Sequence, residues 1–97
     1  MLSFEWDKDK DRRNSARHGV SFEEAKSVFF DENAVQFFDN GHSQAEDRFI
    51  LLGVSMYFRI LVVVHCERAG GAIIRIISAR KADRNETEQY FRGLSHE

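Results

Sequence analysis

The chain has 97 residues, of which 42% are hydrophobic, 12% aromatic and 31% charged. A chain of this length buries about 65% of the surface that its unfolded form exposes, which supports one core and leaves no room for a second domain. We therefore expect a single domain over residues 1–97. The composition excludes a wholly disordered chain. The single cysteine excludes an internal disulfide and a cysteine-cluster metal site.

The sequence carries no signal for export or membrane insertion. Its longest apolar run, residues 60–64, is far shorter than a membrane span. The first ten residues lack the charged start and the long apolar stretch of a signal peptide. We therefore expect a soluble, cytoplasmic protein, and the single Cys66 suits that reducing compartment.

Residues 3–6 predict a short strand, and a helix follows it directly. Asp7 is an N-cap residue, and the helix is expected to run to about Arg17. Gly19 then supplies the left-handed residue that closes a helix. A second helix begins at once, because Ser21 and Glu24 form a capping box in which each side chain binds the other's backbone amide. Its apolar residues recur at helical spacing, and it is expected to end near residues 30–31.

The second half of the sequence predicts a sheet and one more helix. Apolar runs predict four strands, at residues 34–38, 48–55, 59–68 and 73–80. Turn residues at 39–43 and 69–72 separate strands, the latter as a hairpin. A final helix is expected from residues 83–86 onward, with one face formed by Thr87, Tyr90, Phe91 and Leu94. The apolar residues 56–58 in a turn indicate either a partner surface or a tip folded back onto the core.

This order predicts an α+β fold with the sequence β-α-α-β-β-β-β-α. We expect an antiparallel sheet of four to five strands, two N-terminal helices and one C-terminal helix. One face of the sheet should pack under helices, while the other face can be open.

Charge is distributed unevenly along the chain. The net charge is −2 overall, but it is −5 over residues 1–47 and +3 over residues 48–97. Residues 59–84 carry a net charge of +4, and five of their six basic residues are arginines. Arginine suits phosphate because its planar guanidinium donates hydrogen bonds in a fork. The alternative is that these arginines pair with the acidic N-terminal half.

The last hairpin concentrates side chains that could act on RNA. A two- or four-residue turn would place Glu67 opposite Ile74 and His65 opposite Ile76, so that His65, Glu67, Ser78 and Arg80 share one face. A three-residue turn would place Arg75 beside Glu67 instead, and the sequence leaves both registers open.

Cleavage of RNA without a metal needs a base for the 2′-hydroxyl, an acid for the leaving 5′-oxygen and cations for the phosphate. His65 or Glu67 could be the base, and Arg68, Arg75 and Arg80 could stabilise the phosphate. The four histidines show no ligand spacing, so we expect no metal and no cofactor. The alternatives are that His65 is a half-buried histidine with its hydrogen bonds satisfied, and that Glu67 only pairs with Arg68, Arg75 or Arg80 across the sheet.

Several ordered stretches together resemble the BrnT family of type II toxin–antitoxin toxins. They are FEWD at residues 4–7 with Lys10, NSARHGVSFEEA at 14–25, VFFD at 28–31, His42-Ser43 with EDRF at 46–49, VVVHCER at 62–68 and RIISARKA at 75–82. The resemblance covers residues 4 to about 91. The sequence departs from the family pattern at Arg17, where lysine is common, and at Cys66, where threonine is usual. It also departs in the turns at residues 56–58 and 69–72, which are more apolar and longer than is typical.

The resemblance implies a RelE-like fold and an RNA endonuclease that arrests translation. It also implies a cognate ribbon-helix-helix antitoxin, similar to BrnA, in a 2:2 complex that binds operator DNA through the antitoxin. By position, it implies a functional patch of Arg17, Arg68, Arg75 and Arg80 with His65 and Glu67 among them. We further assign Arg17, His18 and Lys81 to RNA binding.

Two other functions are compatible with the same sequence. One is a catalytically inactive relative that binds its antitoxin and modulates repression of the operon. The other is a small scaffold that binds an acidic protein through the arginines, in which case binding should weaken with salt.

Overall fold

The computed structural model describes residues 2–42 and 46–94. The elements in chain order are β1 (Ser3–Glu5), α1 (Lys8–His18), α2 (Phe22–Ser27), β2 (Val35–Phe38), β3 (Arg48–Val54), β4 (Ile60–Arg68), β5 (Ile73–Lys81) and α3 (Arg84–Leu94). A 3-10 turn continues α2 over Val28–Phe30, and another, Asn40–His42, forms the predicted turn, whose Ser43 lies outside the described residues. The predicted order of elements and the α+β class are confirmed.

The strands form one sheet in the order β1-β5-β4-β3-β2. Strands β2 to β5 pair antiparallel, as predicted, but β1 pairs parallel with β5. The prediction of an antiparallel sheet is therefore wrong at this edge, and the sheet is mixed. Strands β1 and β5 lie about 70 residues apart in sequence, so no local hairpin fixes their relative direction.

The boundaries of α1 follow its sequence closely. The Asp7 carboxylate accepts a hydrogen bond from the Asp9 amide at 2.8 Å, as an N-cap residue should. Gly19 ends the helix with a φ of 68°, the left-handed conformation that favours glycine. Both predicted ends of this helix are confirmed.

The capping box of α2 is half formed. The Ser21 hydroxyl accepts a hydrogen bond from the Glu24 amide at 3.1 Å, as predicted. The Glu24 carboxylate instead accepts hydrogen bonds from Ser55 and from the Arg59 guanidinium. A bond from a charged donor is stronger than one from a backbone amide, which explains the exchange. Burial would raise the pKa of Glu24, but the bonds from Arg59 and Ser55 outweigh it, and the pKa is lowered.

The first two helices cover one side of the sheet, which we call the helix face. Its core consists of Val20, Phe22, Ala25 and Val28 packed on Leu51, Leu61, Val63, Ile74, Ile76 and Ala79. Asn14 fastens α1 to β5, since its amide donates to the Ala79 carbonyl at 2.8 Å and accepts from the Ala79 amide at 3.1 Å. This pair of bonds closes the edge of β5 beyond the short β1.

Helix α3 covers part of the opposite face. Tyr90 packs with Leu52 and Val62, and its hydroxyl donates to Asp31 at 2.7 Å. Burial and the Asp31 carboxylate raise the pKa of Tyr90 to about 12. Of the residues predicted to form one face of this helix, Tyr90 and Leu94 pack against the sheet, while Phe91 is 54% exposed. The i+1 position beside Tyr90 turns it away from the sheet.

The hairpin tip between β3 and β4 is exposed. Met56 is 48%, Tyr57 63% and Phe58 90% exposed, so the tip does not fold back onto the core. Phe58 has a φ of 61°, an uncommon conformation for an aromatic residue.

Among the described residues, none of the helices combines the length and apolar character that crossing a bilayer requires.

We predict that Glu24→Ala lowers the free energy of unfolding by about 3 kcal/mol, because Arg59 loses its buried partner. Glu24 is 2% exposed and links α2 to the start of β4. The measurement is urea denaturation. The control is Glu23→Ala, an exposed carboxylate of the same helix, which should change stability by less than about 0.5 kcal/mol. Equal effects of the two substitutions would contradict the prediction.

Candidate nucleic-acid interface

The hairpin of β4 and β5 contains a β-bulge that decides which side chains share a face. At the tip the register is the one predicted for a two- or four-residue turn, but it shifts by one residue between Val64 and His65. The observed pairs are Glu67–Ile74, His65–Ile76 and Val64–Ser78. The extra residue, Ile77, has no partner of its own. The prediction that His65, Glu67, Ser78 and Arg80 share one face is therefore wrong.

The bulge brings Arg75 and Arg80 to the same side of the sheet. They are five residues apart, so a regular strand would point them to opposite faces. Arg75 pairs with Cys66, and Arg80 pairs with Val62, four residues along the same strand. Cys66 also pairs with Arg48 of β3. We call this side of the sheet the arginine face; its arginines are Arg48, Arg68, Arg75 and Arg80.

Glu5 of the edge strand β1 lies on the arginine face, beside Arg75. It pairs with Arg75 in the parallel register. Its Oε2 accepts a hydrogen bond from Arg68 Nη1 at 2.7 Å and from Arg75 Nη1 at 3.0 Å. The bond from Arg75, together with that from Arg68, lowers the pKa of Glu5 below its ordinary value. The carboxylate is therefore ionised at neutral pH.

Arg80 has a carboxylate partner as well. Its two terminal nitrogens donate to the two oxygens of Glu86, each at 2.8 Å. The hydrogen bonds from Arg80 lower the pKa of Glu86. Arg68 also lies 3.5 Å from Glu46 through its Nε. The alternative that arginines pair with the acidic N-terminal half is thus confirmed for Arg68 and Arg75, while Arg80 pairs within the C-terminal half.

The end of α1 brings two further predicted residues to this region. A cavity of about 120 Å³ lies between α1 and the sheet, lined by His18, Val64, Ser78 and Arg80 among others. The adjoining groove is lined by Lys10, Arg13, Asn14, Arg17, His18, Ile77 and Ser78. His18 thus lies near Arg80, and Arg17 lies beside it. A basic surface continues from the arginine face around the bulge onto α1.

Lys81 does not join this surface. It pairs with Leu61, on the helix face. Its charge helps to lower the pKa of Glu24 on that side of the molecule. Strand alternation separates Lys81 from Arg80, its neighbour in sequence.

His65 and Glu67 both lie on the helix face. His65 is 0% exposed, and its ring centroid lies 4.8 Å from that of Phe29 and 5.7 Å from that of Phe49. Its Nε2 is 3.7 Å from Glu67 Oε2, which is too long for a hydrogen bond. Burial lowers the pKa of His65, although the Glu67 charge opposes this effect. His65 is therefore fully buried where the alternative reading expected a half-buried histidine, and within the described residues neither ring nitrogen has a hydrogen-bond partner. Both His65 and Glu67 are separated from the arginines.

The sequence reasoning missed Glu5 and Arg48. Arg48 begins β3, and its place opposite Cys66 follows from the hairpin register. A register count from the turn would have found it. Glu5 meets Arg75 through a parallel pairing between the first and last strands, for which the sequence holds no local signal.

We predict that stability falls as the pH drops below about 6.5, because the unfolded chain then binds a proton at His65 that the folded protein does not. The loss between pH 7.5 and 5.5 should be about 1 kcal/mol. Urea denaturation at both pH values measures it. His65→Leu should remove this part of the pH dependence. The prediction fails if the variant retains the same loss over this interval.

The comparisons with known proteins agree with the sequence resemblance. The crystal structure of the Brucella abortus ribonuclease toxin BrnT matches with a TM-score of 0.64 and 23% sequence identity, over 87% of this chain and 100% of that chain. At this identity the match shows a shared fold. No curated protein matches the sequence. A family profile described as "Ribonuclease toxin, BrnT, of type II toxin-antitoxin system" matches residues 6–86. Since that match spans most of the sequence, the chain belongs to the BrnT family of type II toxin–antitoxin ribonuclease toxins.

Proposed function

We propose that this protein is the toxin of its system, a metal-independent endoribonuclease that cleaves RNA and thereby arrests translation in the cytoplasm. Residues 1–97 act as one RelE-like toxin domain. The observation that carries the proposal is the convergence of Arg68, Arg75 and Arg80 on one face through the β-bulge. Guanidinium groups from two neighbouring strands can there bind the same phosphate.

The arginines supply the electrostatic part of the reaction. They bind the scissile phosphate and stabilise the negative charge that develops on its oxygens as the 2′-oxygen attacks. Fixed guanidinium groups provide positive charge at the phosphate without a metal ion, which is the basis for proposing metal independence. The expected products are a 2′,3′-cyclic phosphate and a free 5′-hydroxyl.

Internal ion pairs leave the arginines available to RNA. The side chains of Arg68, Arg75 and Arg80 are 48%, 35% and 44% exposed. Exposed ion pairs contribute little to stability, so a phosphate can take over donors from Glu5 or Glu86 at small cost. Each guanidinium has five N–H donors and can also hold carboxylate and phosphate together.

The remaining predicted residues fall into two groups. Arg17 and His18 extend the RNA path along the end of α1, next to the bulge. Lys81, His65 and Glu67 lie on the helix face, and in this proposal they do not contact RNA.

We propose a cognate ribbon-helix-helix antitoxin, similar to BrnA, as the partner. Membership in a type II family implies an antitoxin. An acidic segment of it would cover the arginine face and neutralise the charges that bind RNA. The complex would contain two toxins and two antitoxins and bind operator DNA through the antitoxin.

A second candidate is a catalytically inactive antitoxin-binding module. Two observations favour it: His65 and Glu67 lie away from the arginines, and Arg68, Arg75 and Arg80 each have a carboxylate partner. This candidate shares the fold and the partner, so cleavage decides between the two.

We predict that Arg75→Ala and Arg80→Ala each lower the rate of RNA cleavage by about 100- to 1,000-fold, because a donor to the phosphate is lost. The assay follows labelled single-stranded RNA and the appearance of 2′,3′-cyclic phosphate ends, with EDTA present. The matched control is Arg12→Ala, since Arg12 is an exposed arginine of α1 paired with Asp9. It should cleave at the normal rate.

Full activity of both arginine variants would show that the arginine face is not part of the active site. Absence of cleavage by the unsubstituted protein, with antitoxin binding intact, would favour the inactive module. Loss of activity on EDTA treatment would contradict metal independence.

We also predict that RNA and antitoxin compete for the arginine face. The antitoxin for the test would be the product of a short neighbouring reading frame that encodes a ribbon-helix-helix protein. Its addition should displace a labelled non-cleavable RNA, measured by fluorescence anisotropy, and restore cell-free translation. Simultaneous binding of RNA and antitoxin without competition would show that the antitoxin binds another surface.

A further inference from the structure

We infer that the Glu5 carboxylate is the general base of the reaction, the group that removes the proton from the attacking 2′-hydroxyl of RNA. The inference rests on the proposed ribonuclease function and names the catalytic residue that the arginines alone do not provide. It follows from the contacts of Glu5, from its ionisation and from the positions of the other carboxylates near the arginine face.

Glu5 is placed beside the phosphate site by two arginines. Both guanidinium groups donate to the same oxygen, Oε2, at 2.7 Å from Arg68 and 3.0 Å from Arg75. Within residues 2–42 and 46–94, no hydrogen bond engages the other oxygen, Oε1. A phosphate bound by the remaining N–H groups of the same two arginines lies next to this carboxylate. The 2′-hydroxyl adjacent to that phosphate is then within its reach.

The other carboxylates near the arginine face are less suited to the role. Both Glu86 oxygens accept hydrogen bonds from Arg80. Glu86 also accepts a hydrogen bond from the Asp83 amide at 2.8 Å, as part of the α3 cap. Glu46 reaches a single arginine, at 3.5 Å. Glu67 faces the helices on the opposite side of the sheet. Glu5 alone among these four contacts two arginines of the arginine face.

The ionisation of Glu5 fits a base that acts near neutral pH. The hydrogen bonds from Arg75 and Arg68 lower its pKa, so the carboxylate carries no proton before the reaction. A bound phosphate offsets the positive charge of both arginines and therefore raises the basicity of Glu5 in the complex. Substrate binding thus strengthens the base at the moment when it is needed.

The step balances without a further reactant except water. The 2′-hydroxyl proton moves to a Glu5 oxygen, and the 2′-oxygen forms a bond to phosphorus. The bond from phosphorus to the 5′-oxygen breaks, and that oxygen takes a proton from solvent water. The products are a 2′,3′-cyclic phosphate and a 5′-hydroxyl, and Glu5 returns its proton to solvent.

The test is Glu5→Gln, which keeps the side-chain shape and removes the base. We expect the single-turnover cleavage rate to fall by about 100- to 10,000-fold. Affinity for the same RNA with 2′-O-methyl groups, which cannot be cleaved, should be unchanged or tighter, because a negative charge beside the phosphate is lost. The matched control is Glu46→Gln, which removes the other carboxylate near Arg68 and should keep the normal rate. Thermal melting establishes that each variant is folded.

A Glu5→Gln cleavage rate equal to or above that of the unsubstituted protein would overturn the inference. Glu5 would then only neutralise the charges of the arginines in the free protein. A parallel fall in rate and affinity would also overturn it, since Glu5 would then only position Arg68 and Arg75. If Glu5→Gln does not fold, Glu5→Asp gives the same decision: a lower rate at unchanged affinity supports the base, and a normal rate excludes it. Absence of cleavage by the unsubstituted protein would refute the proposed ribonuclease itself, which is a different result from failure at Glu5.

Discussion

The extra residue in β5 determines which arginines share a face of the sheet. Without Ile77 as a bulge, Arg75 and Arg80 would point to opposite sides, and one of them would enter the core against the helices. A buried, unpaired guanidinium is strongly unfavourable, so the bulge and the apolar pattern of the strand depend on each other. The bulge keeps Ile74, Ile76 and Ala79 in the core while both arginines remain on the arginine face.

Electrostatic repulsion between the arginines explains why carboxylates lie beside them on the arginine face, whatever the function of the protein. Like charges on neighbouring strands repel, and the guanidinium groups of Arg68 and Arg75 converge on a single carboxylate. Glu5 offsets that repulsion in the free protein. Because the pairs are exposed and each contributes little, they hold the side chains in place without closing the surface. A phosphate brings the same sign of charge with more acceptor oxygens, so it can join or replace the carboxylate.

Signals within a few residues predicted most of the fold. The Asp7 cap, the Gly19 closure and the hairpin at residues 69–72 each depend on neighbours in sequence, and each is where the pattern placed it. The direction of β1 could not be predicted, since its partner is about 70 residues away. The Glu24 carboxylate was misassigned for a similar reason: its actual partner, Arg59, is 35 residues distant and binds it more strongly than a local amide.

The candidate site was harder to predict because β4 is apolar on both sides. Its residues Leu61, Val62 and Val63 are all buried, since α3 covers part of one face and α1 and α2 cover the other. Alternation therefore gave no indication of which face of this strand was open. The arginines were identified by charge, which does not need a register. The position of His65 could be predicted only from the strand register. Its ring lies between those of Phe29 and Phe49, so this histidine near the end of an apolar strand is part of the core.

The division of the sheet into two faces also explains why the acidic N-terminal half matters to a basic site. Strand β1 is the single part of that half that enters the sheet beside β5, and the parallel register sets Glu5 level with Arg75. Phe4, one residue earlier, packs against Phe29 of the helix-face core at 5.2 Å. The packing of Phe4 therefore fixes the position of Glu5, because alternation along the strand sends adjacent side chains to opposite faces. Phe4, which packs in the core, thus also determines the position of the Glu5 carboxylate that binds two arginines.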